Sequence, residues 1–299
     1  MKRVVVPLLL LMALLFPQVG LAVAQGEDKP TIAVGSKNYT EQLIMSEMLS
    51  LLLEDAGYEV DRQFYLGSTA IVHEGMVNGD IDAYVEYTGT GLIAILGQEV
   101  PTAEEGGSGT PTVPVADQVY NIVAETYPEE FGIEWLDPIG FQNTFAIAVT
   151  RETAEEHDLQ TISDLEAVAG DMTLGATQEF LVRPDGLPGL TELYGIDFGG
   201  EQGLDPGLVY AALENGDVDV ITATATDGRI PALDLVVLED DKNFFPPYYA
   251  APVISGELLE SNPEIADILN QLAGQIDDAT MADLNYRIDD GGEEPNEVA

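Results

Sequence analysis

The chain offers few residues that could perform covalent or metal-assisted chemistry. It has no cysteine and only two histidines. His73 occupies a polar position of a predicted helix and His157 lies in the acidic cluster 155–158, so we interpret both as solvated surface residues rather than bases. No metal-ligand spacing, phosphate loop or dinucleotide fingerprint is present, and the acidic run 239–241 lacks EF-hand spacing. The sequence therefore predicts a protein that is not an enzyme and has no metal or cofactor.

Five other side chains have the chemistry to bind a small solute. Lys37 and Arg183 are two of only ten basic residues, and both follow predicted strands, where ligand sites of open α/β sheets form. Each is equally compatible with a structural ion pair. Tyr87 ends a predicted strand, while Phe145 and Tyr248 lie on two predicted connecting segments. Together they resemble a site with cation-attracting rings and a carboxylate clamp.

An internal repeat organises the elements around these residues. In 78–90 and again in 215–224, an apolar helical pattern ends at Asn-Gly, where glycine can adopt the left-handed conformation that closes a helix. An Asp-apolar-Asp-apolar run then begins a strand. Superposing the two copies places Tyr87 opposite Thr224. The repeat predicts two similarly built α/β lobes whose strand-end loops share one site.

Strands and helices alternate along the chain, which is typical of a mainly parallel sheet. Strand 31–34 leads through a loop to a helix that begins near Asn38, and Glu41 gives a capping-box spacing with it. A further helix is predicted to begin at Gly175 and to include Arg183.

The chain is long enough for two domains, and two segments are predicted to cross between them. The polar pair 142–143 separates two extended segments, and the proline-stiffened aromatic segment 244–249 provides the return. Helical residues 263–286 are expected to pack back on the first lobe. The predicted boundaries are 30–142 plus 248–299 for lobe 1 and 143–247 for lobe 2.

The amino terminus has the pattern of a secretory signal peptide. Lys2 and Arg3 precede the apolar run 4–16, which is shorter than the roughly 20 residues that span a bilayer. Small residues before Gln25 predict cleavage near Ala24, so 1–24 is interpreted as a signal peptide. Without a cysteine, no lipid anchor is expected there. The mature protein is therefore predicted to be exported to the periplasm or another extracytoplasmic space.

The charge is strongly negative, with 54 acidic and 10 basic residues and a net charge of −44. Such a chain is repelled by nucleic acid and by anionic membranes, so neither is an expected partner. Self-repulsion of this size destabilises a compact fold unless salt screens it. We interpret the acidic surface as halophilic.

Six motifs together resemble one family of proteins. They are spread in order over nearly the whole chain after residue 24. The resemblance is to the extracytoplasmic glycine betaine/choline/carnitine-binding proteins of osmoprotectant ABC transporters. It implies a two-lobed periplasmic-binding-protein fold of type II, with two crossover segments and hinge closure. The motifs are GSKNYTEQ at 35–42, EYTGT at 86–90, PIGF at 138–141, TDGRI at 226–230, FPPY at 245–248 and LNY at 284–286.

The resemblance also implies a role for individual residues. Lys37, Thr90 and Arg183 match positions that hold the carboxylate of the ligand. Tyr87 and Tyr248 match tyrosines that box its quaternary ammonium group.

Three further positions belong to the same predicted site. Asn143 falls at a polar pocket position. Phe145 stands where a cage tyrosine is common, which keeps the ring without the hydroxyl, and Thr224 stands where another tyrosine is usual. Losing one ring weakens cation attraction by roughly 0.5 to 2 kcal/mol.

The resemblance implies capture of a glycine betaine-like compatible solute for uptake in osmoprotection. Its expected partners are that solute, a membrane permease and an ATPase, with the binding protein itself a monomer. Choline, carnitine or another nitrogenous solute remains an alternative ligand. Two alternative functions are not transport. One is a secreted enzyme that acts on such solutes, and the other is a sensor whose closed lobes signal to a membrane partner.

Overall fold

The computed structural model describes residues 29–101 and 113–299, so the predicted signal peptide lies outside the described residues. The described chain forms two five-stranded sheets, each packed with helices, which we call the first and second lobes. The predicted α/β class is confirmed. In the part of the chain that the structure describes, no helix has the length and apolar character needed to cross a bilayer.

The first lobe begins with alternating strands and helices. In chain order these are β1 (Thr31–Lys37), α1 (Thr40–Asp55), β2 (Glu59–Gly67), α2 (Thr69–Asn78), β3 (Ala83–Tyr87), α3 (Thr88–Thr90), a π-helical turn (Gly91–Ile95), α4 (Val115–Phe131) and β4 (Ile133–Trp135).

The second lobe repeats this alternation before the chain returns to the first lobe. Its elements are β5 (Phe145–Thr150), α5 (Arg151–His157), β6 (Thr173–Thr177), α6 (Leu187–Tyr194), β7 (Gly200–Leu204), α7 (Val209–Glu214), β8 (Val220–Thr224), α8 (Arg229–Ala232) and β9 (Leu235–Leu238). The returning chain forms β10 (Ala250–Ser255), α9 (Gly256–Ser261), α10 (Glu264–Leu269), α11 (Asp278–Asp289) and α12 (Pro295–Val298).

Both sheets are mixed: four strands of each run in one direction, as the prediction of a mainly parallel sheet requires, and one runs against them. Their strand orders are β2-β1-β3-β10-β4 and β7-β6-β8-β5-β9. In the first sheet β10 is antiparallel to both neighbours, and in the second β5 is. Each is the first strand after a crossing: β10 begins with Ala250 opposite Tyr87, and β5 begins with Phe145 opposite Thr224. A strand that enters from the interlobe side must run opposite to strands that end there.

The predicted repeat is present in both lobes. α2 is closed by Gly79 at φ +75° and α7 is followed by Gly216 at φ +72°. β3 and β8 come next, and they end at Tyr87 and Thr224.

Two local predictions around the site were wrong. α1 begins at Thr40, and the preceding residue accepts no hydrogen bond through its side chain, so the predicted capping box does not form. The predicted helix from Gly175 is instead the end of β6 followed by turns at 178–185. Pro184 accounts for the second difference, because the residue before a proline is disfavoured in helical conformation.

His73 is also placed differently from its prediction as a solvated residue. Its ring packs edge-on against Phe131 and Tyr127, with centroid distances of 4.7 and 5.8 Å. Burial lowers the pKa of His73, so the neutral imidazole is favoured in this aromatic cluster. The residue joins α2 to α4 and does not line the cleft described below.

Candidate ligand-binding cleft

A cleft of about 300 Å³ lies between the two sheets. Its wall includes residues of the turn after β6, of the loop before α8 and of α11. The structure brings all the residues of the predicted site to its wall. These are Lys37, Tyr87, Thr90, Asn143, Phe145, Arg183, Thr224 and Tyr248.

Most of these residues lie at the ends of strands that point toward the opposite lobe. Lys37 ends β1 and Tyr87 ends β3, while Thr90 lies in the short helix that follows. From the second lobe, Thr224 ends β8 and Arg183 lies in the turns after β6. Parallel strands that end at one edge of a sheet bring their loops together, which is why residues distant in sequence meet here.

The two crossing segments run side by side along the cleft. The backbone N–H of Asn143 donates to the carbonyl oxygen of Tyr248 over 3.0 Å, and Gln142 bridges to Tyr249. The Asn143 side chain donates to Glu41 and to Thr226 over 2.8 and 3.1 Å. This pairing holds the crossings together where lobe motion would bend them.

Phe145 is the centre of an aromatic group in the cleft. Its ring meets Tyr248 edge-on at a centroid distance of 5.5 Å and Phe180 at 5.0 Å. Phe245 lies 5.9 Å away. Phe145 is only partly buried, while Tyr248 is 1% exposed and donates its hydroxyl to Asp185 over 2.7 Å. The Phe145 ring therefore forms part of the cleft wall.

Lys37 carries its own carboxylate partner. Its Nζ lies 2.6 Å from Oε1 of Glu86, and both side chains are almost wholly buried. Glu86 also accepts hydrogen bonds from the hydroxyl of Tyr84 and from the backbone N–H of Tyr87. The ammonium lies 5.2 Å from the centroid of the Tyr87 ring. Lys37 can still donate two hydrogen bonds, but its charge is compensated.

Arg183 is engaged still more fully. It donates twice to Asp185, once to Glu179 over 3.0 Å and once to the Thr90 hydroxyl over 3.1 Å. Four of its five N–H groups are therefore occupied. Burial alone lowers the pKa of Arg183, but the carboxylate of Asp185 raises it above its ordinary value. The ion-pair interpretation that the sequence left open applies to both basic residues.

Several cleft residues were missed as individual site residues, although five of them lie in the recognised motifs. Tyr39 and Glu41 belong to the segment 35–42, Asp227 and Arg229 to 226–230, and Asn285 to 284–286. Glu41 was interpreted only as part of a capping box, and the others were given no individual role. The missed lining residues are Tyr39, Glu41, Glu179, Asp205, Tyr210, Asp227, Arg229, Asn285 and Asp289.

The end of the cleft beyond Thr224 is polar and charged. The Arg229 guanidinium lies 4.0 Å from the centroid of the Tyr210 ring and pairs with Asp227 over 2.6 Å. It also approaches Asp289 at 3.4 Å. Within residues 29–101 and 113–299, no group of His, Asp or Glu is arranged to hold a metal ion.

The chain is similar to known proteins along nearly its whole length. Residues 30–299 match a family described as the substrate binding domain of ABC-type glycine betaine transport system. The chain is 36% identical over 295 residues to the carnitine transport binding protein OpuCC of Listeria monocytogenes, spanning 98% of this chain and 92% of the relative. It is also 36% identical to a glycine-betaine-binding protein of Pseudomonas aeruginosa, spanning 100% and 93%. A solved glycine betaine/carnitine/choline ABC transporter structure has 36% identity and a TM-score of 0.68, with 89% and 95% covered.

Proposed function

We propose, since the chain belongs to the family of substrate-binding domains of ABC-type glycine betaine transport systems, that its cleft captures a glycine betaine-like quaternary ammonium solute. As a member of this family the chain is an extracytoplasmic transport protein that works with an ABC transporter permease. The observation that supports this ligand best is the convergence of Tyr87, Phe145 and Tyr248 on a single cleft. Aromatic faces attract a cation that cannot donate hydrogen bonds.

The charge of the cleft favours a cationic group as well. Among the described residues, five carboxylate side chains line it against three basic side chains, all of which have carboxylate partners. A cation that leaves water here is compensated by this negative excess. The lining charges are Glu41, Glu179, Asp205, Asp227 and Asp289 against Lys37, Arg183 and Arg229.

The other end of the ligand is proposed to lie at Lys37, Thr90 and Arg183. Because the two cations are paired, they act on a ligand carboxylate mainly as hydrogen-bond donors. Lys37 retains two N–H groups and Arg183 retains one. Asn143 and Thr224 complete the proposed wall, and the absence of a ring at Thr224 widens it.

Choline is the second candidate, and the same ion pairs favour it. A ligand without a carboxylate needs no clamp, and compensated basic residues repel it less than free ones would. Carnitine and other nitrogenous solutes belong to the same alternative. Turnover of bound solute by purified protein would instead indicate the less favoured secreted enzyme.

Calorimetric titration separates these ligands. The mature chain, folded at molar salt, is titrated with glycine betaine, choline and carnitine, and Thr90→Val is compared with Thr90→Ser. If the carboxylate lies at Thr90, valine weakens glycine betaine binding by about tenfold and leaves choline unchanged. Equal effects on both solutes would contradict the carboxylate assignment, and no heat with any of the three would contradict the proposed ligand class.

We further propose cleavage of the signal peptide near Ala24, action as a monomer with a permease and its ATPase, and lobe boundaries at 142/143 and 247/248. The placement of β5 through β9 within 145–238 supports those boundaries. Mass spectrometry of secreted protein and light scattering test the first two proposals.

A further inference from the structure

Glu41 is a buried carboxylate, and none of its hydrogen-bond partners within the described part of the chain is basic. The residue is 3% exposed and lies in the first turn of α1. Its Oε1 accepts from the Tyr87 hydroxyl over 2.7 Å and from the Asn143 side chain over 2.8 Å. Its Oε2 accepts from the Thr226 hydroxyl and from Asn285 Nδ2 over 3.1 Å. A carboxylate in this position is tolerated because four neutral donors replace its hydration.

These four donors come from four different parts of the molecule. Tyr87 belongs to the first lobe and lines the proposed cage, and Asn143 lies on a crossing segment. Thr226 follows β8 in the second lobe, whereas Asn285 lies on α11, which packs on α1. Glu41 therefore contacts both lobes, a crossing and a ligand-facing tyrosine at once. Thr226 is the partner that must leave if the second lobe moves away.

The loop that carries Thr226 is docked closely on α11. Asn285 Nδ2 donates to the Thr226 carbonyl oxygen over 2.9 Å. A Cβ added to Gly228 would lie 2.5 Å from the Cβ of Tyr286 and 2.6 Å from the carbonyl oxygen of Ala282. Only a glycine fits at this distance from a helix backbone. The contact therefore forms only when this loop of the second lobe lies directly against α11 of the first lobe.

We propose that Glu41 is a positioning residue that couples lobe closure to the ligand site, because Thr226 docks on the same carboxylate that holds the Tyr87 hydroxyl. The link to a ligand rests on the proposed function, but the link to closure does not. When the lobes close, Glu41 gains its fourth donor and the orientation of the Tyr87 ring is fixed. When they separate, Glu41 loses this donor and its hold on the Tyr87 hydroxyl is weakened, while Gln42 Nε2 still donates to that hydroxyl over 3.1 Å.

The pKa values of the two groups agree with this arrangement. Burial raises the pKa of Glu41, and the hydrogen bond from Thr226 is the largest influence that opposes the rise. Burial and the charge of Glu41 raise the pKa of Tyr87, so its hydroxyl stays protonated and can donate.

The test measures the distance between the lobes directly. The natural chain has no cysteine, so single cysteines at Val77 and Val237, which are 47% and 44% exposed, accept one spin label on each lobe. Distance distributions are recorded without solute and with glycine betaine. Thr226→Val is compared with Thr226→Ser, which keeps the hydroxyl. We expect valine to raise the population of separated lobes about tenfold and serine to leave it near that of the natural chain.

Gly228→Ala provides a second variant that removes none of the side chains of the polar network. Its added methyl collides with α11, so it is also expected to separate the lobes. Unchanged distances in Thr226→Val would overturn the proposal, whether or not Gly228→Ala separates the lobes. The distances recorded without solute decide this even if glycine betaine does not bind, which distinguishes failure of this inference from failure of the proposed ligand.

Discussion

At the scale of single residues, the cleft depends on charges that are compensated inside the protein. Lys37 and Arg183 are each held by a buried carboxylate, Glu86 and Asp185. A buried pair is costly to break because the remaining charge has no water to solvate it. The basic residues of the cleft are therefore structural members as well as proposed ligand contacts.

Removing Lys37 alone tests this compensation. Lys37→Met leaves Glu86 buried without its partner, and we expect the free energy of unfolding to fall by about 3 to 5 kcal/mol. Urea denaturation at molar salt measures the loss. Lys37→Met combined with Glu86→Gln is the matched control and should recover most of the stability. A single variant as stable as the natural chain would show that Glu86 does not require the pair.

Eight residues of the cleft were predicted from the sequence, but nine others and the partners of the basic residues were not. The family resemblance assigned Lys37, Tyr87 and Arg183 to one site, and the structure brings them together. Glu41 was read as part of a capping box because that spacing describes only its immediate neighbours. Its actual donors lie between 46 and 244 residues away along the chain. Contacts of that separation depend on the closed fold and leave no local pattern.

At the scale of elements, the same helix-turn-strand unit is used once in each lobe. Gly79 and Gly216 both have positive φ, and no atom lies within 4 Å of a Cβ added to either. The sequence predicted this unit because the same pattern of apolar helix, Asn-Gly and strand occurs twice along the chain. The turns around Arg183 were missed because the helical pattern after Gly175 was weighted above Pro184, which ends it.

Alanine substitutions measure how much the positive φ at Gly79 and Gly216 disfavours a side chain. Gly79→Ala and Gly216→Ala should each lower the free energy of unfolding by about 1 kcal/mol, because the backbone conformation alone opposes a side chain. Gly75→Ala within α2 is the control. It is expected to raise stability by about 0.5 to 1 kcal/mol, since Gly75 is helical and a Cβ there meets only Ile81 at 3.9 Å. Equal losses at all three sites would contradict this account of the turns.

At the scale of the whole molecule, two lobes of similar construction are joined by paired crossings. The motifs predicted this architecture because they extend over nearly the whole chain. They did not predict the antiparallel strands β5 and β10, whose direction follows from where each crossing enters a sheet. Surface charge acts at this scale as well, since −44 is distributed over the entire chain.

We expect salt to stabilise the folded chain. Raising NaCl from 0.1 M to 1 M shortens the Debye length from about 10 Å to about 3 Å, which screens repulsion between surface carboxylates. The free energy of unfolding, measured with uncharged urea, should therefore rise with salt at a constant denaturant slope. Stability that is independent of salt would contradict the proposed halophilic surface.

The central claim is that aromatic rings in the cleft bind a quaternary ammonium group, and titration of Phe145 variants with glycine betaine tests it most directly. Phe145→Leu retains an apolar side chain without a ring, while Phe145→Tyr keeps the ring and adds a hydroxyl. We predict that leucine raises the Kd roughly twofold to thirtyfold and that tyrosine retains binding at least as tight as the natural chain. Leucine binding as tightly as phenylalanine, in protein shown to be folded at molar salt, would contradict the account.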